Sequence, residues 1–402
     1  MASPINEPSA SGPMTESSLP GLPASAPADT PPSPSLTMQG TETQFQLVWR
    51  AFKAHRLAMV SLYILILLYT VAAFAEFLAP NDPHDVNARY TYAPPQELNL
   101  FERDEQGDWR FRPHVLGYEV EVDPVALRRT FVDDPGTKYY IHFLPKTHAY
   151  KLWGVIPSER HLIGVEGRRS VLFLLGTDRL GRDLLSRLIH GARVTLSIGL
   201  AGVALSLVLG VLIGGASGYY GGLVDSAIQR VIEFIRSIPP IPLWMGLAAA
   251  LPRDWTPLQN YFAITLILSL IGWTELARVV RSRFLSLKSE DFVAAARLDG
   301  ATDLRIIWRH MLPAFSSHII ATATLAIPSM ILAETSLSFL GLGLQTPIIS
   351  WGVLLQEAQN LRVLADAPWL LLPGLLIVVT ILAMNFLGDG LRDAADPYGS
   401  SR

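Results

Sequence analysis

The side chains able to do chemistry in this chain of 402 residues are sparse. Glu233, Arg236, Glu275, Arg278, Glu334 and Asn385 stand out because they lie at or near the ends of long uncharged stretches. Ionisable groups inside a membrane mark a substrate or ion path or pair with one another. Near the end of a span the same groups reach the headgroups and anchor the helix. Both readings stay open for this set. Elsewhere the constellations of catalysis are missing. With no cysteine there is no thiol nucleophile, no Cys-ligated zinc and no disulfide framework. The nine histidines do not fall at metal-ligand spacing, His142 and His148 included, so neither a metal nor a cofactor is expected. No G-x-x-x-x-G-K-[ST] loop, H-E-x-x-H pair or G-x-S-x-G elbow occurs. The chain is therefore not read as an enzyme.

The elements that would hold the polar groups are apolar blocks. Hydrophobic residues make up 50% of the chain and charged ones 17%, against about 25% charged in an ordinary soluble domain. The net charge of −3 is too balanced for nucleic-acid binding by bulk charge. Residues 1–49 hold no Lys or Arg and are rich in Pro, Ser, Ala and Thr. Such a stretch cannot bury enough apolar surface to order itself, so it reads as a disordered tail. Arg50, Lys53, His55 and Arg56 then precede the uncharged run Leu57–Ala75, and 50–79 reads as a first transmembrane helix with its N-terminal side in the cytoplasm.

A polar stretch follows, with 16 Lys/Arg against 16 Asp/Glu over 80–193. Residues 80–175 read as an extracytoplasmic insert of mixed structure, with short strands and a helix or two. Apolar blocks return at Val194–Val224, Ser237–Pro252, Trp255–Thr274, Pro313–Ala333 and Ala367–Gly388. The expected fold is an all-α polytopic membrane protein of six transmembrane helices, with the insert after the first. Both termini fall in the cytoplasm, and the basic segment 280–312 faces inward. Pro328 and Pro373 are expected to kink the last two spans.

Two features concern contacts. Gly210, Gly214 and Gly218 recur at four-residue spacing, with Ser206 one step earlier, and line a face that lets another helix approach closely. The inward segment Lys288–Pro313 reads as two short helices. Ser289 can cap the first, and Glu290 and Asp291 suit its N-terminal dipole. Ala294, Ala295 and Ala296 make a small-residue patch, and Gly300 ends the helix in a left-handed cap. Thr302 can cap the second helix, and Leu312 and Pro313 close it. The first helix is too short to stand alone, so neighbours or a partner must hold it.

This segment resembles the cytoplasmic loop of binding-protein-dependent ABC importer permeases, marked by a Glu-Ala-Ala triplet, a following glycine and a Leu–Pro end. Ala294–Ala296, Gly300, Leu312 and Pro313 keep that spacing, with Ala294 in place of the Glu and His310 in place of an Ile. Leu175–Arg187, Gly191–Arg193, Gly218–Asp225, Arg309–Pro313, Leu337–Gly343, Ser350–Gly352, Pro368–Trp369 and Asn385–Pro397 are similar to dipeptide, oligopeptide and nickel permeases of the C type. The likeness covers about 50–79 and 170–400, and the insert looks longer than is usual.

The resemblance implies a permease domain over 176–400 with a coupling loop at about 280–313. Asp291, Ala294, Ala295, Ala296, Gly300, Leu312 and Pro313 would meet an ATPase. It implies a homologous second permease subunit, two ATP-binding subunits, an extracytoplasmic substrate-binding protein and surrounding membrane lipid, with no nucleic acid. The setting would be the cytoplasmic membrane of a bacterium or archaeon. The cargo would be a peptide by exclusion, since no His or Asp cluster in the spans argues for a metal; the substrate-binding residues are not given. Two other readings remain at this stage. One is a membrane-anchored enzyme or assembly factor acting through the insert. The other is a secondary transporter, which predicts repeated halves and midplane charges.

Overall fold

The computed structural model describes residues 44–395 apart from 104–105, 107, 123–128, 168–170 and 253. The expectation of a disordered tail therefore lies outside the described residues, except that helix α1 (Gln44–Ala54) already begins at its edge. His55 separates α1 from α2 (Arg56–Ala73), its Nδ1 accepting the Ala58 N–H at 3.1 Å as an N-cap. A short α3 (Ala75–Leu78) follows and leads into the insert.

Among the described residues the insert holds the expected short strands, but they pair with two long ones into sheet, and the expected helices are reduced to a single short 3-10 turn, Ala88–Tyr90. Strands β1 (Asn99–Arg103), β2 (Trp109–Val122), β3 (Arg129–Phe143) and β6 (Ile163–Val165) form an antiparallel sheet in the order β1-β2-β3-β6. A separate hairpin pairs β4 (Lys146–Leu152) with β5 (Ile156–Arg160). β2 and β3 run 14 and 15 residues, with Val115 and Tyr118 turned inward. Cross-strand pairing carries segments whose own pattern is weak.

The remaining chain is helical: α4 (Leu184–Tyr220), α5 (Gly222–Ser237), α6 (Pro240–Ala249), α7 (Pro257–Leu287), α8 (Asp291–Leu298), α9 (Asp303–Arg305), α10 (Leu312–Ala314), α11 (Ser316–Phe339), α12 (Trp351–Gln356), α13 (Leu361–Asp366) and α14 (Leu372–Ala395). Five helical stretches among the described residues are long and apolar enough to cross a membrane: Arg56–Ala73, Leu184–Tyr220, Pro257–Leu287, Ser316–Phe339 and Pro368–Ala394. The third block expected from the sequence differs. It is the 10-residue α6, about 15 Å long against a hydrocarbon core of about 30 Å. Pro239 and Pro240 cut it from α5, because proline has no N–H to continue the ladder. Pro373 also departs from expectation. It occupies the first turn of α14, where a missing N–H costs nothing, and so it opens the helix instead of bending its middle.

α4 and α7 run parallel and close. A Cβ on Gly210 would meet Leu276 Cβ at 2.7 Å, one on Gly214 the Ala277 carbonyl oxygen at 2.3 Å, and one on Gly218 the Arg281 carbonyl oxygen at 2.7 Å. Both chains therefore advance in the same direction along the contact. The contact is reinforced where Ser206 Oγ donates to Ser269 O at 3.2 Å and Ser269 Oγ donates to Gly202 O at 3.0 Å. The main core joins α2, α4, α7, α11, α12 and α14 around Leu196, Ile198, Leu268, Ile331 and Trp351.

Candidate functional site

The helix pair formed by α8 and α9 grows directly out of α7 and leads through α10 into α11. Ser289 does not cap α8; its hydroxyl closes the end of α7 by donating to Ser286 O at 3.0 Å, and Glu290 takes the cap position without a side-chain bond. Gly300 has φ of +75°, with open space where a Cβ would stand, so backbone conformation and not crowding selects glycine there. Thr302 precedes α9, again without a side-chain capping bond. The chain then widens into a π-helical turn over Ile306–Met311 before Leu312 and Pro313.

α8 is divided by face. Val293 and Ala296 are buried, packed with Tyr219, Val280, Phe284, Ile306 and Met311. Asp291, Ala294 and Ala295 are exposed. Ala296 thus belongs to the chain's own core, and the small-residue patch is split in two. The exposed side also carries Phe292 and Leu298, the latter 89% exposed, and beyond α8 Leu304 of α9 and Trp308 of the π-helical turn are exposed as well. Sequence reasoning missed these large apolar side chains. Their signal was the spacing of Phe292, Ala295 and Leu298, which places them on one face of a helix.

The turn between α4 and α5 holds this region. Gly221 has φ of +67° and reverses the chain. Tyr219, nearly buried, donates its phenol O–H to Asp303 Oδ1 at 2.6 Å, and Lys288 and Arg297 lie over its ring at 5.9 and 5.6 Å. Behind it Arg281 grips Asp225 with two bonds, Nε to Oδ1 at 2.5 Å and Nη2 to Oδ2 at 2.6 Å. Ser217 Oγ donates to the same carboxylate at 2.5 Å. Bidentate charge-assisted bonds of this kind fix geometry as well as adding energy. The C-terminal ends of α4 and α7 and the N-terminal ends of α5 and α9 are therefore tied into one unit with α8 on its surface.

Further along the helices a cavity of about 370 Å³ opens between α4, α6, α7 and α11, walled by Val203, Leu268 and Met330. Ser206, Trp244, Glu275, Thr322 and Ser329 are its polar lining. The Trp244 indole N–H is buried without a partner, and Glu275 pairs with Arg236. Glu233 pairs with Arg230 at 3.2 Å, in the open, and beside it Arg278 helps line a smaller pocket. Glu334 is fully buried away from the cavity, accepting from Ser338 Oγ at 2.8 Å and Ser350 Oγ at 2.9 Å, so it fastens α11 to the start of α12. Asn385 lies half-buried on α14. Among the described residues no three His, Asp or Glu side chains stand together as a metal site.

The segment Thr177–Arg187 forms an anchor at the opposite ends of the helices from α8. Asp178, 1% exposed, accepts from Arg182 Nε at 2.7 Å and from Arg187, and Arg182 reaches Glu357 at 3.4 Å. Thr177 accepts the Ala93 N–H at 2.7 Å, and the Trp369 indole donates to Thr177 O at 2.9 Å. Asp183 caps α4 by accepting the Ser186 N–H at 2.9 Å, and burial pushes its carboxyl up to about 6. Burial likewise raises Glu357, despite the arginines around it. A buried charged cluster costs desolvation, and only complete pairing offsets it.

Residues 206–398 match the family described as binding-protein-dependent transport system inner membrane component, and residues 43–95 match the N-terminal TM domain of oligopeptide transport permease C. The oligopeptide transport system permease protein OppC of Haemophilus influenzae is 38% identical over 257 residues, 63% of this chain and 78% of that protein. OppC of Bacillus subtilis is 37% identical over 241 residues, 60% of this chain and 76% of its own length. A putative peptide transport system permease protein of Brucella suis is 43% identical over 225 residues, 56% and 73% of the two chains. Among solved structures, a chain of the inward-facing MetNI methionine ABC transporter aligns with a TM-score of 0.41 and 19% identity, over 52% of this chain and 97% of that one.

Proposed function

The chain belongs to the binding-protein-dependent transport permeases as a permease subunit of a peptide ABC importer, and on that premise we propose how it is arranged and coupled. α5 and α6 together make a third crossing, bent at Pro239–Pro240, giving six. The support is the parallel contact of α4 and α7: two helices advancing in one direction need the segment between them to return across the same thickness. With Arg50, Lys53 and Arg56 before α2, both termini and α8–α10 lie in the cytoplasm and the sheet insert lies outside.

The exposed face of α8 carries the coupling proposal. Ala294 and Ala295, with Phe292 and Leu298, form an apolar patch beside the carboxylate of Asp291. It is fused to α7 and leads into α11, and both helices wall the cavity. One of two ATP-binding subunits docks there; a homologous second permease completes the pathway, and an extracytoplasmic substrate-binding protein delivers the peptide. Closure of the ATPases pushes α8. Tyr219–Asp303 and Asp225–Arg281 pass that motion to α4, α5 and α7 as one body. Such a change does work only if the peptide binds the two states differently.

Because the chain has no cysteine, a single Leu298→Cys is a clean probe. In the purified complex it should cross-link to an ATP-binding subunit, with a yield that changes when ATP is bound. No cross-link from Leu298 or from Ala295→Cys, in a complex that still contains the ATPases, would remove α8 from the coupling path.

A further inference from the structure

The tip of the β4–β5 hairpin stands out because it is apolar, strained and exposed. Trp153 and Gly154 occupy its turn with φ of +53° and +73°, closed by the Val155 N–H onto Leu152 O at 3.1 Å. Glycine adopts this conformation freely; tryptophan does so at a cost, and such strain persists only where surrounding contacts over-determine it. Around the turn Trp153 is 56% exposed, Val155 77% and Ile156 49%. Three large apolar side chains at the end of an otherwise charged hairpin are not explained by the protein's own packing.

Their position indicates what covers them. The Trp153 indole N–H donates to Ala73 O at 2.7 Å, and its ring lies 5.8 Å from that of Phe74. Ala73 is the last residue of the first span. A second tie, the Leu162 N–H to Phe77 O at 2.9 Å, holds the hairpin's far end against α3. The tip is thus fixed at the depth where the first span leaves the membrane. Arg193 also donates to Ala73 O, at 3.0 Å, and pairs with Glu76 there. Behind the tip an open pocket of about 610 Å³ is lined by Lys146, Lys151 and Arg160 against the single acid Glu159.

We propose that this hairpin is a membrane-dipping anchor: Trp153, Val155 and Ile156 enter the headgroup–acyl boundary of the outer leaflet, while Lys146, Lys151 and Arg160 face lipid phosphates. Tryptophan suits that boundary because its apolar ring and polar N–H match the two sides. Basic residues flanking an apolar tip add attraction to anionic lipid. The hairpin then holds the sheet insert at a fixed height over the helices. That the lipid is the outer leaflet rests on the orientation proposed above; contact with lipid itself does not.

The test uses the full-length protein in lipid nanodiscs with the subunits that purify with it. A single Val155→Cys is labelled with an environment-sensitive fluorophore, and Glu119→Cys, exposed on β2, serves as the aqueous reference. With lipids brominated near the glycerol end of the chain, the Val155 probe should lose fluorescence roughly twofold, while aqueous iodide quenches the Glu119 probe several-fold more strongly than the Val155 probe. Equal iodide quenching at both sites with no bromine effect would overturn the proposal. So would shielding of Val155 only after a substrate-binding protein is added, since the tip would then be a protein-docking surface. Labelling of Glu119→Cys by an impermeant thiol reagent in intact cells reads the orientation separately, so either idea can fail without the other.

Discussion

Tyr219 and Asp303, 84 positions apart, are joined by one hydrogen bond of 2.6 Å that ties the α4–α5 turn to the α8–α9 helix pair. The phenol comes from the end of a membrane helix and the carboxylate from the first residue of α9. A push on α8 and α9 therefore reaches α4 without passing through α7. Tyr219→Phe keeps the ring in its buried seat and deletes this link alone. A bond to a charged but exposed partner is worth about 1 kcal/mol. Substrate-stimulated ATP hydrolysis should fall several-fold while complex assembly stays intact. A double-mutant cycle with Asp303→Ala, which removes the acceptor, should show the two losses to be non-additive. Full additivity would mean the bond carries no coupling.

Two neighbouring alanines of α8 should behave differently. Ala295 is exposed and Ala296 is packed against Val280 and Met311. Ala295→Arg and Leu298→Asp should leave thermal stability unchanged and reduce ATPase co-purification. Ala296→Arg should lower stability by about 2 kcal/mol or more before any question of coupling arises. Thermal unfolding in detergent with a pull-down of the ATP-binding subunits separates the two effects. Equal behaviour of both arginine variants would contradict the division of faces.

Gly300→Ala tests the left-handed cap. Space is free around the site, so the cost should be the conformational one, about 1–2 kcal/mol. Gly300→Asn should recover part of it, because asparagine tolerates this region better. The readout is transport at normal membrane levels of the protein.

The parallel helix contact offers a matched pair. A Cβ on Gly214 would sit 2.3 Å from the Ala277 carbonyl oxygen, whereas one on Gly215 would make ordinary contact with Phe284 at 3.4 Å. Gly214→Ala should force the helices apart and cost about 1–3 kcal/mol. Gly215→Ala should be neutral or slightly stabilising, since alanine is favoured over glycine inside a helix by about 1 kcal/mol. Melting temperatures of the two variants decide the point.

The anchor at Asp183 should depend on pH. Its carboxyl is raised from 3.8 to about 6 by burial, so the folded state binds the proton more tightly than the unfolded one. Stability from this group is fully present below 3.8 and is lost as pH rises through about 6. The protection factor of the first turn of α4, with the intrinsic pH dependence of amide exchange divided out, should therefore fall between about pH 4 and 6 and level off above. Asp183→Asn should flatten that dependence; a slope unchanged by the substitution would assign it to another group.

Much of this was legible from residue order alone, and the limit is physical. Apolar blocks of spanning length, the small-residue spacing of Gly210, Gly214 and Gly218 and a glycine at position 300 are local properties, and each points to its element because the 3.6-residue period and the steric map of the backbone act locally. The prolines at 239 and 240 were equally visible, but whether α5 and α6 join into one crossing depends on α4 and α7 running parallel, which no local pattern contains. The faces of α8 were undetermined for a related reason. Three consecutive alanines point in three directions and have no preferred side, so the neighbours Tyr219, Ile306 and Met311 select Ala296 for the core and leave Ala294 and Ala295 outside. The ion cluster of Asp178, Arg182, Arg187 and Glu357 spans some 180 positions, and the pairing of β2 with β3 relies on a cross-strand register. Those contacts exist only once burial removes the water that would otherwise satisfy each partner separately, and that condition belongs to the folded chain and not to its sequence.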